Sequence, residues 1–190
     1  ILKIYENEKA LQKGHFILSS GKHSSVYLQS AIVLSNPENL KKIASKMVLE
    51  IKRIIKVDSI DIVVSPAMGG VIIGSKVGEL LNKKSIFLER VNGQFTLRRG
   101  FEIKRNQKVL LIEDVLTTGK SSHESVSCVK AYGADVICLC SIINRSSKKL
   151  EFNFPITSLL KVDAPFYDKN NIPLKLQSIP AIKPGSRFIK

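Results

Sequence analysis

Short apolar runs rich in β-branched residues alternate along this chain with longer stretches of helical periodicity. The alternation predicts an α/β fold, a central parallel sheet with helices on both faces. Two observations support it. The run Ile60 to Ser65 stops at Pro66, and the run Val109 to Ile112 stops at two acids, as buried strands do at a sheet's edge. The length, 190 residues, suits one domain with a full core rather than two.

The elements follow in order. Pro37 opens a helix in which Leu40, Ile43, Ala44, Met47, Val48, Ile51, Ile54 and Ile55 recur at three- and four-residue spacing. Ile60 to Ser65 is the next strand, Val71 to Leu81 a helix, Ser85 to Leu88 a strand and Val109 to Ile112 another. A helix runs from about Gly119 to Tyr132 and closes at Gly133. Val136 to Ile143 is too rich in β-branched residues for a helix end, so it is a strand. The tail from Pro173 to Lys190 carries three prolines and is expected to be a loop-rich extension. In such folds ligands sit at the carboxyl ends of the strands. The segments 66–70, 89–104, 113–121 and 144–147 are therefore the informative ones.

Composition narrows the class. The hydrophobic fraction is 44% and the charged fraction 24%, so the chain is globular. No apolar run approaches the roughly 18 residues a membrane helix needs, and the charged N-terminal stretch ILKIYENEKALQKGHF does not resemble a signal peptide. Three sparse cysteines, Cys128, Cys138 and Cys140, fit buried thiols in a reducing cytoplasm better than a disulfide scaffold or a zinc site. His15, His23 and His123 have no metal-ligand spacing, so no protein-held metal is expected. Thirty basic against sixteen acidic residues give a formal charge of +14, a field that draws in anions. Nucleic acid is one candidate and a polyphosphorylated metabolite another. The lysines are scattered, aromatics are 6% and no nucleic-acid motif is present, which favours the metabolite.

One stretch carries the chemistry: VLLIEDVLTTGKSS, residues 109–122. Its Gly-Lys-Ser resembles the end of an ATP-binding P-loop, which needs G-x-x-x-x-G-K-[ST]. The first required glycine falls on Asp114, whose charge and backbone oppose that role. A different cradle fits every position. Glu113 and Asp114 accept hydrogen bonds from the 2′- and 3′-hydroxyls of a ribose. The turn Leu116-Thr117-Thr118-Gly119-Lys120-Ser121 opens a helix whose free N–H groups favour a phosphate.

The segment Ile112 to Ser121, with Val115 and Leu116 between the acids and the threonines, resembles the phosphoribosyl pyrophosphate (PRPP) motif of type I phosphoribosyltransferases. Three further stretches resemble the orotate branch of that family: residues 14–24 with Tyr27-Leu28-Gln29, residues 91–101, and Asn144-Arg145-Ser146. The resemblance spans nearly the whole chain and implies the type I phosphoribosyltransferase fold, with an N-terminal hood (1–35), a core (36–165) and a C-terminal extension (166–190).

It implies site residues too. Residues Glu113 to Ser121 bind PRPP. Pro66-Ala67-Met68-Gly69-Gly70 is similar to the pyrophosphate loop, with Met68, Gly69 and Gly70 holding the leaving group. Arg145 recognises orotate, Thr117 reaches the pyrimidine and Tyr27 packs on its ring. Arg90 matches the loop arginine and, with Asp114, is a catalytic candidate. The family implies Mg²⁺ carried with PRPP, a homodimer that lends the 89–104 segment to its neighbour's site, and closure of that segment against water. Alternatives within the fold are a purine phosphoribosyltransferase and a PRPP-sensing regulator that binds nucleic acid. The chain departs from the family pattern at Gly69, where many bacterial members carry a basic residue, and at Ser19, where some place a lysine. The loop lysine has no clear counterpart, and Lys22 or the Arg98-Arg99 pair stands as its replacement.

Overall fold

A computed structural model describes residues 1–18, 21–147, 149–163 and 165–184. Ser19 lies outside the described residues. The chain runs α1 (Leu2–Asn7), β1 (Leu11–Ile17), β2 (His23–Leu28), α2 (Ser30–Ser35), α3 (Pro37–Ile54), β3 (Ile62–Pro66), α4 (Gly69–Leu81), β4 (Lys84–Val91) and β5 (Gln94–Thr96). It continues with β6 (Lys108–Leu116), α5 (Lys120–Ala131), β7 (Asp135–Asn144), β8 (Ile156–Lys161), β9 (Phe166–Tyr167), α6 (Leu174–Gln177) and β10 (Ala181–Ile182).

The central sheet has the order β5-β4-β3-β6-β7-β8. Its pairings are parallel except β4 with β5. Both faces are covered, which is why β3 and most of β6 and β7 are continuous apolar runs. The alternation of side chains along β6 sorts the core. Leu110 and Ile112 meet Ile43, Met47, Ile51 and Ile73 on the α3/α4 face. Val109 and Leu111 meet Val126 and Val129 on the α5 face.

Helix starts follow local chemistry. Asn36 caps α3, its side-chain oxygen accepting from Glu38 N at 3.0 Å and Asn39 N at 3.3 Å, with Pro37 in the first turn. The helix α4 is pressed onto β3 at Gly74, where an added Cβ would lie 1.9 Å from Ser65 Oγ and 3.0 Å from its Cβ. Strand β6 runs on past the apolar stretch to Leu116, so Glu113 and Asp114 stand on the strand rather than after it. Cys138 and Cys140 are buried in the core and Cys128 is partly covered.

Two segments differ from the sequence expectation. Residues 89–104 are not simply an open loop: Glu89, Arg90 and Val91 pair with Thr96, Phe95 and Gln94 across an Asn92-Gly93 turn in which both residues have positive φ. Asn-Gly is the dipeptide such a hairpin turn selects. The extension over 166–190 is not separate from the hood in its described part. A small sheet of order β10-β1-β2-β9 joins both ends of the chain, β10 parallel to β1 and β9 antiparallel to β2. A buried pair ties it, with His15 Nε2 and His23 Nδ1 2.7 Å apart and His15 Nδ1 donating to the Ile179 carbonyl at 3.0 Å. Among the described residues no helix is long and apolar enough to cross a membrane.

Candidate active site

The carboxyl end of β6 brings Glu113 and Asp114 to the sheet's edge, between the hood and α4. Glu113 is 5% exposed and accepts from Ser122 Oγ at 3.1 Å. Burial and the neighbouring Asp114 push its carboxyl up to about 8, and the Ser122 hydroxyl opposes the rise. Asp114 is half-buried, and desolvation raises it as well. Two adjacent carboxyls that cannot both ionise cheaply are ready to take hydroxyl partners.

The linkage has a definite sign. Glu113 has a folded-state pKa above its ordinary 4.5, so its contribution is present in full below pH 4.5 and is lost as pH rises through about 8. Without PRPP, wild type is expected to lose on the order of a few kcal/mol to this group over that window relative to Glu113→Gln. Thermal midpoints of both proteins between pH 4.5 and 8.5 measure it. A pH-independent difference sinks the assignment.

Beyond the acids, Val115 turns to the α3/α4 face and Leu116 to the α5 face. Thr117 and Thr118 cross to Gly119, whose φ of +77° makes it the residue preceding α5. Lys120 N donates to Thr118 Oγ1 at 3.4 Å. Lys120 and Ser121 are exposed at the helix's start, so the turn is open to an anion from outside. Thr117 and Thr118 line a cavity of about 240 Å³ with Lys22, Ser146, Leu150 and Phe166.

The end of β7 is tied to this turn: Arg145 N donates to the Leu116 carbonyl at 2.8 Å. The Arg145 side chain is 3% exposed. Its Nη2 donates to Ser24 Oγ at 2.8 Å and to the Val26 carbonyl at 3.1 Å, and its guanidinium lies 4.9 Å from the Phe166 ring centre. Its Nε is buried with no hydrogen-bond partner, and no carboxylate pairs with the group among the described residues. Burial alone lowers it to about 10. A buried, charge-unpaired guanidinium is costly and is relieved by an incoming carboxylate.

On the other side, β3 delivers the turn Ala67-Met68-Gly69-Gly70, with a cis peptide between Ala67 and Met68. Met68 is 76% exposed. Gly69 abuts the acids, for a Cβ there would fall 2.4 Å from Asp114 Oδ2. Tyr27 packs on Phe16 with ring centres 5.6 Å apart, and burial, with the Asp114 charge after it, holds its hydroxyl above the usual range.

The structure sets Gly69 against Asp114, ties Arg145 to Leu116 by a backbone hydrogen bond, and places Thr117 and Thr118 in one cavity wall. It does not bring Arg90 to the acids. Arg90 pairs with Glu124 of α5 at 2.5 Å, donates to the Gly93 carbonyl and covers Phe95. Arg98 and Arg99 pair with Glu89 at 3.8 and 2.7 Å. Of the cations considered as replacements for a loop lysine, Lys22 is the one in the cavity wall, where it also meets Asp168 at 3.4 Å. Sequence reasoning missed Ser122, Ser24 and Phe166. Ser122 adjoins the motif and was legible there. Ser24 lies in the 14–24 stretch, but it is 121 residues from its partner Arg145, and no local pattern pairs the two.

A family model described as the phosphoribosyl transferase domain matches residues 30–178. Over 190 residues the chain is 48% identical to the orotate phosphoribosyltransferase of Thermotoga maritima, with the whole of both chains covered. This chain belongs to the orotate phosphoribosyltransferase family. The orotate phosphoribosyltransferase of Erythrobacter litoralis is 44% identical over 187 residues, 98% of this chain and 96% of that one. A crystal structure of the Aeropyrum pernix orotate phosphoribosyltransferase superposes with a TM-score of 0.67 at 21% identity, covering 84% of this chain and 92% of that one. At that identity it speaks for the fold alone. The type I phosphoribosyltransferase fold accounts for the mostly parallel sheet and for a cleft at its carboxyl edge.

Proposed function

We propose that the protein transfers the 5-phosphoribosyl group from PRPP to orotate, forming orotidine 5′-monophosphate and pyrophosphate in pyrimidine nucleotide synthesis. The observation that carries this reading is Arg145, a buried cation with no carboxylate partner among the described residues, fixed by its backbone to the end of the strand that bears the paired acids. Orotate is a planar carboxylate, the partner a guanidinium fork suits.

Glu113 and Asp114 hold the ribose hydroxyls. The turn Thr117 to Ser121 receives the 5′-phosphate on the first N–H groups of α5. The Met68-Gly69-Gly70 turn takes the pyrophosphate. Arg145 and Thr117 hold orotate, and Tyr27 packs on its ring. The orotate nitrogen attacks C1 as the bond to pyrophosphate breaks, through an oxocarbenium-like transition state that needs no protein nucleophile. Rate comes from alignment and from charge stabilisation on the leaving group. Mg²⁺ would arrive with PRPP, keeping the substrate phosphates and waters as its ligands, and would supply neutralisation of phosphate charge. Arg90 stands by the first turn of α5, sharing Glu124 with Lys120, from where it serves as the loop arginine. We place the enzyme in the cytoplasm as a homodimer.

Loss of orotate absorbance on adding PRPP and Mg²⁺, with adenine, hypoxanthine and uracil in parallel, tests the proposal. Turnover of orotate alone is the expected result. Turnover of a purine, or of no base, replaces it with a purine enzyme or a PRPP sensor.

A further inference from the structure

Two buried imidazoles meet on the hood sheet, and the proposed chemistry uses neither. His15 on β1 is 5% exposed and His23 on β2 is 7% exposed. His15 Nε2 and His23 Nδ1 are 2.7 Å apart, and the ring centres are 4.9 Å apart. On its other side the His15 ring meets the Ile179 carbonyl, just ahead of β10. A carbonyl only accepts, so His15 Nδ1 carries a proton there. In the uncharged pair His15 Nε2 then accepts and His23 Nδ1 donates. One added proton fits on His23 Nε2 with both bonds kept. A second sets N–H against N–H across 2.7 Å and puts two like charges in one buried place.

Strand alternation relates this pair to the orotate cradle. His23 and Ser24 are consecutive on β2, so they face opposite sides of the sheet. Arg145 Nη2 donates to Ser24 Oγ at 2.8 Å and to the Val26 carbonyl at 3.1 Å. The same two residues of β2 pair with β9. His23 lies opposite Tyr167, and Ser24 lies opposite Phe166, whose ring centre is 4.9 Å from the Arg145 guanidinium. On β1, His15 lies opposite Ala181 of β10. The imidazoles thus join β1, β2 and the C-terminal segment on one face, and Arg145 is held on the other.

We propose that His15 and His23 are positioning residues for the orotate cradle: their hydrogen bonds pin the C-terminal segment across the hood and so fix Ser24 and Phe166 on Arg145, and a second proton on the pair releases it. This rests on the reading of Arg145 as the orotate-binding group. The groups around His23 all bear on its charge. They are His15 from β1, Tyr167 opposite on β9, Lys169 beyond β9, and the Lys22–Asp168 pair, 3.4 Å apart, at the adjoining ends of β2 and β9. Lys183 follows β10. Burial, then His15, then Lys169 hold His23 below its ordinary 6.5. The uncharged pair's contribution is therefore full above pH 6.5 and is lost as pH falls below it.

The test compares wild type with His23→Gln and His15→Ala in the full chain. Glutamine keeps a donor for His15 and does not titrate in this range. The KM values for orotate and for PRPP are measured from pH 8 to pH 5. In wild type the KM for orotate is expected to rise about tenfold below pH 6.5. His23→Gln should flatten that rise, and the KM for PRPP should have the same pH profile in both proteins. His15→Ala loses both bonds, so its KM for orotate should already be raised at pH 8. At pH 5 the backbone amides of residues 176–182 should exchange hydrogen faster in wild type than in His23→Gln. Equal acid profiles for orotate in wild type and His23→Gln overturn the proposal. So does an equal change in both KM values, which leaves the pair a merely structural role. Should His15→Ala fail to fold, His23→Gln decides alone by the same criteria. The underlying reading fails separately: a wild type that does not turn over orotate at pH 8 refutes it, and the exchange comparison still reads the latch.

Discussion

Arg145→Met is expected to lower kcat/KM for orotate by about 100-fold or more without lowering the thermal midpoint of the ligand-free protein. The argument rests on what surrounds the group. Arg145 is 3% exposed, bonded to a hydroxyl and a carbonyl, and has no carboxylate partner among the described residues. Without ligand it carries a desolvation cost that nothing repays in full. Methionine fills much the same volume and removes the charge, so the ligand-free fold has little to lose. Orotate binding loses its counter-charge, and the orotate carboxylate is left buried and unpaired. The measurement is a pair: steady-state kinetics with varied orotate, and thermal unfolding of the same preparation. A variant that keeps orotate turnover removes Arg145 from substrate recognition. A large fall in stability with no kinetic change makes it a hood anchor only.

Gly69→Ala is expected to weaken PRPP by about tenfold or more, because overpacking of this kind costs on the order of 1–3 kcal/mol. The new Cβ would stand 2.4 Å from Asp114 Oδ2 and 2.6 Å from its Cγ and Oδ1. Either the Asp114 carboxyl must swing away or the turn before α4 must give. Either movement separates the diol end of the cleft from the pyrophosphate end. The KM for PRPP should rise more than the KM for orotate, and pyrophosphate should inhibit less strongly. Equal PRPP constants for variant and wild type would show that the turn yields freely. A larger side chain at residue 69 would begin with that same Cβ. Lys22, in the cavity wall, and Lys120, at the start of α5, are cations near the proposed phosphate turn.

The proposed phosphate cradle was legible because it is contiguous. Strand, acids, turn and helix follow one another from Lys108 to Ala131, so spacing alone arranged them. The strand order could be expected only as a parallel sheet. The edge strand β8 escaped notice because Ile156–Lys161 is short and only half-buried, which leaves no clean apolar run. The β4–β5 hairpin is signalled by Asn92-Gly93, but the sequence reading gives 89–104 only as a segment that follows its strand.

The sequence by itself determined the fold class, the family and the contiguous half of the cleft, because periodicity and motif spacing are local properties of the chain. Only the tertiary structure decided the rest. It set Ser24, Val26 and Phe166 around Arg145, and Gly69 against Asp114. It closed the hood with strands from both ends of the chain and turned Arg90 toward Glu124. These contacts join residues tens to more than a hundred positions apart. They arise from packing and desolvation, which no short stretch of sequence encodes.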